Sequence, residues 1–228
     1  MGRIRELAQK FINTFSDSAA STSPESPVHP VAVAATPSYE ELYEKHSTTL
    51  KQLKLEKIHY GSGPRLLGEG WLNVDLTQQF DDAAGKVFVA INLVAKHPFP
   101  TNYFKFGFAE DFIEHLDQVE SLIFLSEVFR TLQPGGVLRL SFPSLGGVLR
   151  RHFRASDYEG AVVGQHEAYT AWEHKHFYAE DSLALVARHL GFSEVQFVPY
   201  GESKYPELCN LDSRPSQQDL NIYVELTK

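Results

Sequence analysis

The chain contains 228 residues, of which 43% are hydrophobic and 12% aromatic, so it can bury the core of one large domain or two small ones. Its 29 acidic residues outnumber 21 basic ones and give a net charge of −8, which disfavours binding to nucleic acid through overall charge. The single cysteine, Cys209, excludes an intramolecular disulfide and any multi-cysteine zinc or iron–sulfur site. No apolar stretch approaches the roughly 20 residues that cross a bilayer, and no secretory signal is recognisable, so the expected compartment is the cytoplasm.

The first 38 residues differ in composition from the rest of the chain. Between Ile4 and Phe15, hydrophobic residues fall on one face at helical spacing. Such a segment makes weak contact with a membrane surface or a partner, or it covers an apolar patch on its own domain. From Ser16 to Ser38, 17 of 23 residues are Ser, Thr, Pro or Ala, too few apolar groups to offset the entropy of ordering. We therefore predict an amphipathic segment and a disordered linker over residues 1–38, and one domain over residues 39–228.

Beyond residue 38 the chain alternates between two hydrophobic periods. Spacings of three and four residues predict helices at Tyr39–Lys54, around Leu122–Leu132 and around Leu183–Leu190. Short apolar or alternating runs predict strands at Lys57–Tyr60, Trp71–Leu76, Lys86–Leu93, Tyr103–Ala109, Leu138–Phe142, Ser193–Pro199 and Asn221–Thr227. Pro134-Gly135-Gly136 and Gly191 are expected to end the second and third helices. Strands that alternate with helices predict an α/β fold with a parallel-rich sheet.

Distinctive residues follow three of the predicted strands, where ligands bind in sheets of this kind. Gly61 and Gly63 would let a backbone loop approach a ligand closely, although a simple turn explains them equally well. Asp75 ends the next strand, where its carboxylate can accept both hydroxyls of a ribose or merely cap a turn. The third feature is the aromatic and acidic run from Phe108 to Leu116.

The order of five motifs resembles the class I S-adenosylmethionine-dependent methyltransferases of the small-molecule type. The motifs are Tyr60-Gly61-Ser62-Gly63-Pro64, Gly70-Trp71-Leu72-Asn73-Val74-Asp75, His97-Pro98-Phe99-Pro100, Glu114-His115-Leu116 and Glu127-Val128-Phe129-Arg130-Thr131-Leu132-Gln133-Pro134-Gly135-Gly136-Val137-Leu138. The resemblance covers Ile58 to Lys228. It implies a Rossmann-like, doubly wound sheet of seven strands whose last strand is antiparallel, with residues 194–199 and 221–227 as the final pair.

The resemblance also implies S-adenosyl-L-methionine as the cofactor and suggests which residues bind it. Gly61, Ser62 and Gly63 would face its methionine portion, and Asp75 its ribose. Asn92 stands near the adenine, where the family commonly has an acidic residue, and an amide can still accept one hydrogen bond there.

Methyl transfer requires an aligned acceptor and, for many acceptors, a group that removes its proton. The resemblance places acceptor-side groups just past the fourth strand, where this chain has Glu110 and His115. His115 is the better base because an unperturbed imidazole titrates near neutral pH. A histidine that merely packs at the end of a helix is the alternative interpretation.

Three further histidines, His166, His174 and His176, raise the question of a metal. On an extended strand His174 and His176 would share one face, as zinc ligands require, but no Asp or Cys completes a set. We therefore predict no metal site, and expect residues 152–178 to form a lid over the acceptor. A basic cluster at its start binds an anionic group of the acceptor or faces water; it comprises Arg150, Arg151, His152 and Arg154.

Together these observations predict a methyltransferase that acts on oxygen or nitrogen of a small molecule or glycan precursor, and no nucleic-acid acceptor is expected. The alternative is a catalytically inactive protein that keeps the fold as a binding partner or scaffold. Three departures from the family pattern favour it: Arg65 in place of a third glycine, Asn92 and Lys105 in place of acidic residues. A nicotinamide-dependent oxidoreductase fits poorly, because Leu66 stands where its fingerprint requires a glycine.

Overall fold

The computed structural model of the chain describes residues 37–80, 83, 85–152 and 157–228. The predicted amphipathic segment and nearly all of the predicted linker lie outside these residues, as does Arg154 of the predicted basic cluster. None of the helices in the described residues has the length and apolarity that a membrane span requires.

The strands of the described residues form one seven-stranded sheet. Its strands are β1 (Lys57–Tyr60), β2 (Trp71–Asp75), β3 (Val87–Ala90), β4 (Phe104–Glu110), β5 (Leu132–Pro143), β6 (Glu194–Phe197) and β7 (Asn221–Thr227). The order is β3-β2-β1-β4-β5-β7-β6. The first five strands are parallel, and β7 runs antiparallel between β5 and β6. This arrangement confirms the predicted α/β fold with a Rossmann-like seven-stranded sheet and an antiparallel last strand.

The described residues form five α-helices, of which the first precedes the sheet: α1 (Tyr39–Leu53), α2 (Gln118–Thr131), α3 (Leu145–His152), α4 (Tyr158–Gln165) and α5 (Glu180–Leu190). Local sequence fixes several of their ends. Ser38 and Asp117 cap α1 and α2, and each forms a capping box with a glutamate three residues later. Gly191 ends α5 with a φ of 107°, a conformation that glycine adopts without steric cost.

The passage from α2 to β5 begins earlier than the sequence predicts. The helix ends at Thr131 and the chain becomes extended at Leu132, before Pro134 is reached. Leu132 is fully buried and pairs with Phe104, whereas the next paired residue, Val137, lies opposite Phe106. The Pro134-Gly135-Gly136 turn is therefore an irregularity near the amino end of β5. It is not what ends the helix.

The core lies between the sheet and the helices that pack on it. Its fully buried side chains include Ile58, Tyr60, Leu72, Val74, Phe104, Phe124, Val128, Leu138, Leu140, Leu183 and Val224. Each side chain of this size contributes about 2 kcal/mol to stability when it is removed from water. The sheet is thereby rigid enough to hold the residues at its carboxyl edge in fixed positions.

A buried ion network anchors the long segment between β6 and β7 to the sheet. Arg139 on β5 is fully buried and pairs with Asp212 and Glu225. Its guanidinium also donates to the Glu202 carbonyl at 2.8 Å, and Asp212 accepts from the amide of Gly201 at 2.8 Å. Residues 201–212 are therefore held on the sheet by charge-assisted hydrogen bonds, and the segment that follows them reaches the carboxyl ends of β4 and β5.

Candidate functional site

A glycine loop at the end of β1 is tied to the end of β2. Gly61 and Gly63 have φ values of 59° and 51°, which glycine adopts readily. A Cβ added at Gly61 would lie 2.4 Å from Cδ2 of Phe112, so only glycine fits at this position. The amide of Ser62 donates to the Val74 carbonyl at 3.1 Å, and the amide of Gly63 donates to Oδ2 of Asp75 at 2.8 Å.

Asp75 faces a cleft of about 420 Å³ at the carboxyl edge of the sheet. Its second oxygen, Oδ1, accepts from the amide of Leu76 at 2.6 Å. Each carboxylate oxygen has a further lone pair, so Asp75 can still accept hydrogen bonds from a ligand. Gly61, Ser62 and Gly63 line the same cleft, so the structure brings together four of the residues predicted to bind the cofactor.

Asn92 is the exception among the predicted cofactor residues. It follows β3, is exposed, and accepts a 3.0 Å hydrogen bond from the amide of Val94 through its Oδ1. It does not belong to the described residues that line the cleft. The side chain orders its own turn, a frequent role for asparagine after a strand.

His59 lines the cleft, and its ring contacts the side chain of the buried Asn73. The Asn73 amide donates to the carbonyls of Leu67 and Val87, which fixes its Oδ1 as the acceptor that lies 3.2 Å from Nδ1 of His59. Nδ1 of His59 therefore carries the proton. Burial, together with the positive charge of Arg65, lowers the pKa of His59 to about 4 against the opposing effect of the Asn73 hydrogen bond, so the ring is neutral at physiological pH.

Glu110, one of the two predicted catalytic residues, is held by three hydrogen bonds. Its carboxylate accepts from Arg65 Nη1 at 3.0 Å, and from both the amide and the hydroxyl of Ser213. The other nitrogen of the same guanidinium, Nη2, donates to the Leu211 carbonyl at 2.6 Å. Glu110 thus joins the glycine loop to the segment before β7.

A second chamber of about 290 Å³ adjoins the cleft. Asp111, His115 and Arg214 line both cavities, so they stand where the two meet. The chamber wall also contains side chains from the segment that was predicted to form a lid: Glu167, Ala168, Trp172 and His174. Of the predicted basic cluster, Arg151 reaches this wall, whereas Arg150 donates to the Asp219 carbonyl at 3.3 Å.

His115, the other predicted catalytic residue, lies at this junction. It ends a short 3₁₀ turn, Ile113–His115, that follows β4. Burial lowers its pKa, while a hydrogen bond to the Glu173 backbone and the charge of that residue oppose the shift. The neutral ring is the form that accepts a proton.

The sequence carries no signal for Arg214 at the junction, and it marks Asp111 only as a member of the run from Phe108 to Leu116. Arg214 Nη1 lies 2.9 Å from Oδ2 of Asp111, and this arginine comes from the segment between β6 and β7. The pKa of Asp111 is raised to about 6, mainly because the carboxyl group is buried and also because Glu110 is negatively charged. The positive charge of Arg214 opposes this rise. No local motif signals Arg214, because it reaches the site only through the anchoring of a distant segment by Arg139.

Glu114 and His174 also meet at the chamber. The Glu114 carbonyl accepts from the amides of Lys175 and His176, at 2.8 and 3.2 Å, and this joins the turn after β4 to the chain that carries His174. The rings of His115 and His174 are 4.9 Å apart. Residues 173–179 form no strand, and the His176 ring packs on Tyr178 instead, so His174 and His176 do not share a face as ligands.

Arg65 and Lys105, which depart from the methyltransferase pattern described above, each have a local structural role. Arg65 holds Glu110 and Leu211, as described above. Lys105 pairs with Glu56 at 2.6 Å, at the amino end of β4 and away from the cleft. Within β4, a glycine at position 107 also has a steric reason: a Cβ at Gly107 would lie 3.0 Å from Cε2 of Tyr60.

No protein-family model and no curated protein sequence matches the chain. Solved structures do share its fold. A SAM-dependent methyltransferase of Archaeoglobus fulgidus superposes with a TM-score of 0.52 at 15% identity, over 82% of this chain and 94% of the other. One of Thermotoga maritima gives 0.50 at 15% identity, over 82% and 89%. A complex of the Haloferax volcanii Trm112 methyltransferase activator with a methyltransferase gives 0.50 at 11%, over 82% and 89%. The chain therefore has the fold of the SAM-dependent methyltransferases.

Proposed function

We propose that this protein is an S-adenosylmethionine-dependent methyltransferase that acts on oxygen or nitrogen of a small polar molecule or a glycan precursor. The observation that carries the proposal is the junction of two cavities at Asp111, His115 and Arg214. One cavity has a glycine loop and a strand-end carboxylate, and the other has polar groups and an aromatic wall.

The cleft fits S-adenosylmethionine in the chemistry of its groups. Asp75 offers free lone pairs suited to the two ribose hydroxyls. The Oγ of Ser62 is buried beside the cleft and has no hydrogen-bond partner among the described residues, so a ligand group would satisfy it. The backbone of Gly61 and Gly63 allows close approach of the ligand to the end of β1.

Bound S-adenosylmethionine supplies a methyl carbon that is already electrophilic because it is attached to a positively charged sulfur. The chain itself then has to orient the acceptor and accept its proton. His115 lies where the cavities meet and is neutral, which suits it to take that proton. Arg65, Glu110 and Ser213 hold the wall of the cleft in place.

The size and lining of the chamber support a small polar acceptor. A volume of about 290 Å³ lies just below the range of roughly 300–1,000 Å³ that is usual for small-molecule pockets, which favours a small acceptor. Arg151 and Arg214 supply positive charge suited to a carboxylate or phosphate, and Trp172 offers an aromatic face. These groups favour a sugar, an acid or a phosphorylated metabolite.

Calorimetric titration of the purified protein with S-adenosylmethionine and S-adenosylhomocysteine tests the proposal. Both ligands should bind, and Asp75→Ala should weaken binding by about 10- to 100-fold through loss of charged hydrogen bonds. Asp181→Ala is the matched control, because Asp181 is exposed in the first turn of α5 and lies outside the cleft. The absence of heat with either ligand, or unchanged affinity in Asp75→Ala, would overturn the proposal.

A further inference from the structure

Glu114 carries a buried carboxylate with no hydrogen-bond partner in the described ranges of the chain. The residue is 1% exposed, and both of its side-chain oxygens are unpartnered. The charges that act on it are those of Asp111, Glu110 and Arg214, and Arg214 already pairs with Asp111. Burial of a carboxylate without compensation is strongly unfavourable, so this position requires a proton or a cation.

Two imidazoles stand beside that carboxylate. One ligating atom from each of Glu114, His115 and His174 lies within 4.8 Å of the others. The Nδ1 of His174 is buried and unpartnered among the described residues, and a hydrogen bond to the Ala168 backbone involves its ring. His115 has a corresponding bond to the Glu173 backbone. Histidines that ligate metals are typically oriented in this way, with one ring nitrogen bonded to a carbonyl and the other free.

We infer that Glu114, His115 and His174 bind one divalent first-row transition-metal ion in the wall of the acceptor chamber. Two imidazole nitrogens disfavour magnesium and calcium, which prefer oxygen ligands. Two histidines and a glutamate with a remaining open position form the ligand set of catalytic zinc sites. Ligands of a tetrahedral site are about 3.4 Å apart, so small side-chain rotations close the set around the ion.

The backbone already holds the three ligands in place before any ion binds. Glu114 and His115 are neighbours on one 3₁₀ turn, and the Glu114 carbonyl fixes the chain next to His174 through two amide hydrogen bonds. Glu114, His115 and His174 all line the chamber, so a remaining coordination position would be open to an oxygen of the acceptor. The ion would then acidify that oxygen in place of His115, which would be a ligand and no longer the proton acceptor. This last step rests on the proposed methyl transfer, whereas binding of the ion does not.

Cobalt(II) titration of the full-length, chelator-treated protein tests the inference, because protein-bound cobalt with few ligands absorbs strongly in the visible range. The wild type should develop such a band at one equivalent, and zinc should displace it. Glu114→Gln and His174→Ala should each weaken binding by more than the roughly 10- to 100-fold that loss of a supporting hydrogen bond costs. His176→Ala is the matched control, since this histidine lies on the same segment and packs on Tyr178.

The inference is overturned if the wild type shows only the spectrum of free cobalt, or if His176→Ala loses the band while His174→Ala retains it. Circular dichroism and S-adenosylhomocysteine binding show whether Glu114→Gln, which preserves the size of the side chain, is folded. A wild type that binds cobalt but not S-adenosylhomocysteine would contradict the proposed function alone. The reverse result would contradict the metal site alone.

Discussion

Nη1 of Arg65 lies 3.0 Å from Oε2 of Glu110 at the carboxyl edge of the sheet. Ser213 donates to the same carboxylate from a segment more than 100 residues away in the sequence. The carboxylate of Glu110 is thus occupied by three donors, and it joins the glycine loop to the segment before β7. This relationship favours a positioning role for Glu110 over the role of a proton acceptor.

Replacement of Glu110 by glutamine should therefore weaken cofactor binding without changing the pH profile of turnover. The variant keeps the size of the side chain but loses the charge that holds Arg65, and we expect about 10-fold weaker binding of S-adenosylhomocysteine. Lys105→Ala is the control: its pair with Glu56 is exposed, and such pairs contribute about 0–1 kcal/mol. Abolished turnover with unchanged S-adenosylhomocysteine affinity would instead identify Glu110 as the base.

Gly61 and Gly85 both have a positive φ, but an added Cβ would meet a neighbouring side chain only at Gly61. Alanine substitutions at the two positions therefore separate the cost of backbone strain from the cost of a steric clash. Gly85 has a φ of 77° and no described atom within 4 Å of an added Cβ, so Gly85→Ala should cost about 1 kcal/mol of stability. In Gly61→Ala the backbone strain is similar, and the added methyl group also clashes with Phe112. The clash should increase the loss of stability by a further amount of about 2 kcal/mol. Urea denaturation measures both, and only the Gly61 variant should lose S-adenosylhomocysteine binding. Equal losses of stability would show that Phe112 moves aside freely.

The sheet and the glycine loop could be predicted because their signals are local. Strand and turn patterns around Tyr60, Gly61 and Asp75 follow one another within 20 residues, and parallel strands then bring their ends together. The motif His97–Pro100 is instead held by a helix residue more than 30 positions later in the sequence. Arg130 on α2 donates to the carbonyls of the residues at positions 97 and 99, at 2.8 and 2.9 Å.

The contacts between the end of β4 and the later segments of the chain could not be predicted in the same detail, because they are long-range. Glu110 meets Ser213 across 103 positions of sequence. His174 reaches Glu114 through backbone amides of neighbouring residues, which carry no side-chain signal. Spacing alone suggested His176 as the partner of His174, and that pairing requires a strand that residues 173–179 do not form.

Loss of the Arg139 guanidinium should be among the most destabilising single changes in the protein. Arg139→Met preserves much of the side-chain volume but leaves Asp212 and Glu225 buried without a counter-charge, and we expect a loss of about 3–5 kcal/mol. Removing a carboxylate as well, in Arg139→Met with Asp212→Asn, should recover part of that loss. Equilibrium denaturation in urea measures the series. A loss below about 1 kcal/mol would mean that the network does not anchor the segment before β7.

His59 should make stability depend on pH in the mildly acidic range. Its pKa is about 4 in the folded protein and near 6.5 when unfolded, because burial disfavours the charged ring. The unfolded chain therefore binds the proton first as the pH falls from 6.5 to 4, and folding loses about 3 kcal/mol over that window. His59→Asn keeps a donor for Asn73 but does not titrate, so its urea-unfolding free energy should fall less steeply with decreasing pH. Identical slopes for the variant and the wild type would contradict this account, since other buried histidines titrate in both.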